Sequence, residues 1–177
     1  LEKHALHIWP RHSYMMIALP NMDGSFTVTL FLAHEGDPSF QQLTATSAVP
    51  AFFEEHFTDA VPLMPTLVDD FFGNPESSLV TVKCSPWVMH DRVALIGDAA
   101  HAIVPFYGQG MNAGFEDGRV LMDRVDVTDG NWSSALSLYR EYREKEGHAI
   151  ADLAIGNFYE MRDKVADERF LRRKKIE

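Results

Sequence analysis

Residues 93–121, VALIGDAAHAIVPFYGQGMNAGFEDGRVL, constrain the fold more than any other stretch, because they join a short apolar run to a helical pattern through glycine, acid, histidine and amide. Val93 to Ile96 is wholly apolar, which predicts a strand buried on both faces. Gly97 ends that run, so Asp98 is expected at the carboxyl end of a central strand, where open α/β sheets present groups to ligands. Beyond Pro105, Gly108-Gln109-Gly110 relaxes the backbone, and a helix is predicted from Met111 or Asn112. Its expected inward stripe is Gly114, Gly118, Leu121 and Val125. A glycine loop feeding a helix N-terminus, with unpaired N–H groups and partial positive charge, is a natural seat for an anion or an electron-rich carbonyl. Gly-Asp alone signals only a turn. The specificity lies in the whole run.

Composition narrows the classes. The 177 residues are 46% hydrophobic and 24% charged, values near globular averages, enough for one ordinary domain or a piece of a larger one. A formal net charge of −10 argues against a surface built to neutralise nucleic-acid phosphates. The single cysteine, Cys84, permits no intramolecular disulfide and no Cys/His spacing suggests zinc, which favours a reducing, cytoplasmic setting. The chain begins with Leu1 rather than Met, which points to a processed or incomplete product.

The first third reads as antiparallel sheet: Leu6 and Ile8 before Pro10, an apolar run Tyr14 to Leu19, a turn over 20–25, and Phe26 to Leu32. In the last strand Phe26, Val28, Leu30 and Leu32 share one face, and Thr27 and Thr29 the other. Ser47 is expected to cap a helix carrying Phe52, Phe53 and Phe57, and a second helix carrying Leu67, Val68, Phe71 and Phe72 should stop at Gly73. Leu79 to Cys84 alternates as a strand. After the loop Asp129-Gly130-Asn131, Ser133 or Ser134 is expected to cap a long helical pattern bearing Ala135, Leu138, Tyr139 and Tyr142, then Ile150, Leu153, Ala154, Asn157 and Met161. Gly147 and Gly156 are candidate bends. Asn157 falls on the apolar stripe and needs hydrogen-bond partners there. The cluster Arg169 to Lys175 reads as a solvated helix end.

Written out, Gly97 to Leu121 is G-D-A-A-H-x-x-x-P-x-x-G-x-G-x-N-x-G-x-x-D-x-x-x-L, which resembles the second FAD-binding motif of the single-component aromatic hydroxylases. LHIWPR at 6–11, IALPNMDGSFTVTLF at 17–31, SPWVMHDRVALIGDAAH at 85–101 and IADLAIGNFYEMRDKV at 150–165 are similar to the members that hydroxylate L-kynurenine. The resemblance implies a mixed α/β (α+β) chain, the C-terminal part of a two-domain FAD-dependent hydroxylase. Residues 1–84 would be mainly substrate-domain sheet and helices, 85–128 a return to the FAD-binding domain, and 129–177 the C-terminal helices. It implies cofactor contacts at Gly97, Asp98, Gly108, Gly110, Met111 and Asn112, and substrate contacts at Pro105, Phe106, Gln109 and Asn157. Asp98 would hold the ribityl chain of FAD, and Asn157 the amino-acid carboxylate of the substrate. The implied activity consumes NADPH and oxygen and converts L-kynurenine to 3-hydroxykynurenine. No side chain is assigned a catalytic proton transfer. His101 is expected to order the loop, because the flavin supplies the oxidising group.

Two departures stand out. Tyr107 occupies a position where the family pattern leads one to expect phenylalanine. The G-x-G-x-x-G fingerprint that seats the ADP half of FAD occurs nowhere in the 177 residues. The expectation is an N-terminal FAD-binding half outside this sequence, an isolated piece that is inactive, and a further C-terminal segment that could serve as a membrane anchor. A related hydroxylase with another aromatic substrate, or a noncatalytic interaction module, remains an alternative.

Overall fold

The computed structural model describes residues 1–165 and 167–176. The fold is mixed α/β with small antiparallel sheets and long helices, and it divides into two compact units, Leu1–Ser77 with the segment from Glu160 onward, and Ser78–Tyr159.

In the first unit, β1 (His7–Pro10), β2 (Met15–Pro20) and β3 (Phe26–Phe31) form an antiparallel sheet in sequence order, with Ile8 opposite Ile17 and Ile17 opposite Thr29. The turn-forming segment between β2 and β3 closes through the Asn21 N–H on the Ser25 carbonyl. Met15, Met16, Ile17 and Ala18 are all buried, so β2 is covered on both faces rather than on one. Helix α1 (Ala48–His56) packs Val49, Phe52 and Phe53 with Tyr14, Met16 and Phe57, and helix α2 (Leu67–Gly73) adds Leu67 and Phe71 at the edge of this cluster. Ser47 makes no side-chain cap. The C-terminal end of α1 is instead held by Arg11, whose Nε donates to the His56 carbonyl at 2.7 Å.

In the second unit, β4 (Val88–Met89) and β5 (Val93–Ala94) form a short antiparallel ribbon. The strand expected over Val93 to Ile96 is therefore brief and not buried: Val93 is 55% exposed and Ile96 47%. Nor is there a strand at Leu79 to Cys84, where one backbone bond, from the Val82 N–H to the Ala102 carbonyl, is formed. Val93 and Ala94 have only the two-residue strand β4 to pair with, and Leu79 to Cys84 has no strand neighbour among the described residues, so neither apolar run completes a sheet ladder.

Helix α3 (Asp98–His101) follows directly, then a 3₁₀ turn (Pro105–Tyr107), helix α4 (Gly110–Val127) and helix α5 (Trp132–Tyr159). Asn131, not Ser133 or Ser134, caps α5 by accepting from the Ser134 N–H at 3.1 Å. Ser133 Oγ turns to Asp91 instead. A π-helical turn (Glu160–Lys164) and helix α6 (Glu168–Lys174) end the described chain, and α6 carries the basic cluster in its last turn.

α5 is unbroken across Gly147 and Gly156, and the face it buries matches the expected stripe only in part. Ala135, Leu136, Tyr139, Arg143, Gly147, Ala151 and Ala154 are buried, whereas Leu138, Tyr142 and Leu153 are exposed. The buried face mixes large side chains (Leu136, Tyr139 and Arg143) with small ones, and at Gly147 the close approach of Trp87 leaves no room for a side chain. At Gly147 a Cβ would lie 2.2 Å from Cη2 of Trp87, a side chain only 1% exposed. Gly147 is thus a packing site rather than a bend. Gly147→Ala is expected to lower stability by roughly 1–3 kcal/mol, because the overpacking cost exceeds the alanine gain in helix propensity. The thermal midpoint of the variant, compared with that of Gly156→Ala, checks this, since nothing lies within 4 Å of a Cβ at Gly156.

Candidate functional site

The centre of the second unit is the carboxylate of Asp117, on α4 and fully buried. Its Oδ2 accepts from the Gly97 N–H at 2.8 Å and from Nε2 of His101 at 2.6 Å. Its Oδ1 faces Nε and Nη2 of Arg143 on α5 at 2.9 and 2.8 Å. Arg143 also reaches Glu116 through Nη1 at 3.1 Å and the Ala113 carbonyl through Nη2 at 3.4 Å. The His101 ring, equally buried, stacks on Trp87 with centroids 5.0 Å apart. Tyr139 closes the far side by donating its hydroxyl to the Leu95 carbonyl at 3.0 Å. Burial, aided by the Asp117 charge and opposed by Arg143, pushes the Tyr139 hydroxyl well above its ordinary range.

Burial alone would raise the Asp117 carboxyl, but hydrogen bonds from His101, Gly97 and Arg143, with the charge of His101, outweigh it and hold the group below the usual range. Asp117 is therefore an ionised acceptor saturated by donors from three segments of chain.

This anchor lies behind an open concavity of about 600 Å³ lined by Ile96, Gly97, Asp98, Ile103, Pro105, Gly108, Gly110, Met111, Gly114 and Phe115. Gly97 has φ 57° and ψ −142°, a conformation essentially restricted to glycine, and Gly108 is left-handed at φ 66°. A Cβ on Gly114 would stand 3.5 Å from the Gly97 Cα, so the loop rests directly on α4. Gln109 precedes α4 without capping it, which leaves the first-turn N–H groups of an 18-residue helix facing outward. The Asp98 carboxylate is exposed and makes no hydrogen bond or ion pair among the described residues.

Of the residues singled out from sequence, Gly97, Asp98, Pro105, Gly108, Gly110 and Met111 line this concavity together. Phe106 is buried and stacks near Phe158, with centroids 4.5 Å apart. Gln109 and Asn112 pair with each other, Nδ2 of Asn112 donating to Oε1 of Gln109 at 3.0 Å. Asn157 donates through Nδ2 to the Phe106 carbonyl, tying α5 to the 3₁₀ turn. The helix starts at Gly110, one residue earlier than expected, and its buried face is Ala113, Asp117 and Val120, with Gly114, Gly118, Leu121 and Val125 only half-buried beside it.

A model of the FAD-binding domain family matches residues 38–153, more than half of the chain. The chain belongs to the FAD-binding domain family. Within this family, the kynurenine 3-monooxygenase of Flavobacterium psychrophilum is 56% identical over all 177 residues, and that of Myxococcus xanthus 50%. The kynurenine 3-monooxygenase of Dictyostelium discoideum is 49% identical over 189 aligned residues. The chain spans about 40% of the length of these relatives. Among solved structures, tetracycline destructase Tet(51) superposes with a TM-score of 0.59 at 18% identity, covering 97% of this chain and 46% of that one, which is a likeness of fold.

Sequence reasoning missed Arg143 and gave Asp117 no role. The signal for Arg143 was present: it stands four residues after Tyr139 and four before Gly147, a cation on a stripe of small and aromatic residues. Its partner could not be read, since Asp117 lies 26 residues away on another helix.

Asp117→Ala would leave Arg143 buried without its main counter-charge, and a loss of about 3–5 kcal/mol is expected in urea unfolding. Because the folded-state carboxyl titrates below its unfolded value near 3.9, this stabilisation is complete above about pH 4 and is lost as pH falls through the lower folded value. Unfolding midpoints measured from pH 6 down to pH 2 should fall less steeply for Asp117→Asn than for the natural chain.

Proposed function

We propose that the concavity holds the ribityl and isoalloxazine part of FAD, and that the full-length protein hydroxylates L-kynurenine to 3-hydroxykynurenine with NADPH and oxygen. The observation that carries this reading is the convergence of an unpaired carboxylate, Cβ-free backbone and an uncapped helix N-terminus on one concavity in a chain of the FAD-binding domain family. The residues fit the group. Asp98 can accept charge-assisted hydrogen bonds from ribityl hydroxyls. Gly97, Gly108 and Gly110 let a flat ring approach the main chain, and the α4 dipole favours negative charge on a reduced ring. Met111 and Asn112 would present first-turn N–H groups. The ADP half requires a glycine fingerprint that these 177 residues do not carry, so we assign it to polypeptide outside them.

Bound FAD would supply the redox chemistry of an NADPH- and O₂-dependent ring hydroxylation, in which one oxygen atom enters the product and the other is released as water. The chain contributes position and exclusion of water. Pro105, Phe106 and Gln109 would border the substrate, and Asn157 would orient its amino-acid carboxylate while holding the Phe106 carbonyl. His101 is committed to Asp117 in the core, which fits an ordering role rather than proton transfer. Identity of 56% over the whole chain to a kynurenine 3-monooxygenase favours L-kynurenine over another aromatic substrate. The lone Cys84 fits a reducing, cytoplasmic setting. Among the described residues no helix is long and apolar enough to cross a membrane.

The test is the full-length, FAD-loaded protein supplied with L-kynurenine, NADPH and oxygen. Formation of 3-hydroxykynurenine at one equivalent per NADPH is expected. NADPH oxidation without product, or preference for a different aromatic, overturns the reading. In the same protein Asp98→Ala should weaken FAD binding by at least about tenfold, the loss of one or two charge-assisted hydrogen bonds. Asn157→Asp should raise the KM for L-kynurenine by about tenfold or more with FAD content retained, because a carboxylate then faces that of the substrate. Equal loss of flavin and substrate would reduce Asn157 to a structural amide.

A further inference from the structure

The five residues Gly97 to His101 are held at both ends by a single oxygen atom. Oδ2 of Asp117 takes the Gly97 N–H at 2.8 Å and the His101 ring at 2.6 Å. The Gly97 carbonyl is fixed as well, accepting from the N–H groups of Ala100 at 2.9 Å and His101 at 3.0 Å. Both polar groups of Gly97 are thus committed, at a φ of 57° that most residues cannot adopt. Asp98, one residue on, has no partner of its own among the described residues, so its direction follows from the backbone on either side of it. Arg143 then holds Asp117, gripping Oδ1 with two nitrogens.

We propose that Asp117, held by Arg143, is a positioning residue for Asp98: it sets the Gly97–His101 turn and thereby aims the Asp98 carboxylate into the concavity. This rests on the FAD reading of that concavity. Asp117 is fully buried and does not line the concavity, so its influence on a ligand must pass through the turn. A general stabiliser and a positioning residue differ in one measurable respect. If Asp117 acts through Asp98, its replacement costs nothing further once the Asp98 carboxylate is gone. If it only supports the fold, the two losses multiply.

The experiment is a double-mutant cycle on FAD dissociation constants in the full-length protein, by flavin fluorescence titration of the apoprotein, with Asp98→Ala, Asp117→Asn and the double variant. Asp117→Asn is expected to weaken FAD by about tenfold, and the double variant to bind no worse than Asp98→Ala alone. The visible absorption of bound flavin is expected to shift in the same direction in Asp117→Asn and in Asp98→Ala. Arg143→Lys keeps a cation beside Asp117 but loses the fork, and it enters the same cycle with the same expectation should Asp117→Asn fail to fold. Unchanged affinity in the foldable single variant, or losses that multiply in its double variant, overturns the proposal. An Asp98→Ala protein that binds FAD normally instead brings down the FAD reading itself, a different result.

Discussion

The second unit depends on a buried ion pair between Asp117 and Arg143, with side chains 0% and 3% exposed. Taking both charges out of water costs several kcal/mol per ion before any contact is made. The cost is offset here by saturation. The carboxylate meets donors from Gly97, His101 and Arg143, and the guanidinium also donates to Glu116 and the Ala113 carbonyl. An apolar replacement could fill the same volume, but it could not hold the Gly97 N–H and the His101 ring at once. What the charge contributes is a defined geometry for the loop before α4, which apolar packing specifies poorly.

Close backbone approach makes that ion pair reachable. Gly97 and Gly114 bring the loop and α4 within van der Waals contact, and Gly147 lets the Trp87 ring lie against α5. Trp87 in turn stacks on His101 and donates Nε1 to the Cys84 carbonyl, an oxygen shared with Nε2 of His148. Glu144, one residue beyond Arg143, anchors the Trp87 N–H at 3.1 Å. The glycines and the charged groups therefore belong to one arrangement: removing Cβ atoms shortens the distances that the hydrogen bonds need.

The parts of the fold legible in sequence were those where local chemistry and tertiary packing agree. Turn residues at 20–25 between alternating runs gave the β2–β3 hairpin, and Gly73 closed α2 where expected. The glycine loop and helix start at 108–110 were also readable, because positive φ and an uncapped helix end are properties of the segment itself. Reading failed where the outcome depends on a neighbour. Val93 to Ile96 and Leu79 to Cys84 have strand composition, but the first finds only the two-residue partner β4 and the second has no ladder partner among the described residues. The apolar stripe expected on α5 held at Ala135, Tyr139 and Ala154 but not at Leu138, Tyr142 and Leu153, and it left out Arg143, Gly147 and Ala151, which pack on the buried face. In the concavity, the glycines and Asp98 were identifiable from their spacing. Asp117 and Arg143 were not, since their meaning is a contact between two helices.

Placing the rigid part behind the concavity rather than in it has a physical consequence. A carboxylate that binds a neutral ligand must stay free of protein partners, yet a free side chain on a mobile loop would have to be ordered at the moment of binding, at about 0.5–1.5 kcal/mol per side chain and more for backbone. Here the backbone on both sides of Asp98 is immobilised during folding, by bonds to Asp117 and by the closed turn of α3. Its own oxygens remain available. The same separation recurs at the 3₁₀ turn, where the Phe106 carbonyl is held from behind by Asn157 while Pro105 and Gly108 face the concavity. Loop residues that meet solvent are thus fixed through main-chain atoms by side chains of α4 and α5, so ligand-facing groups can be preorganised without being consumed.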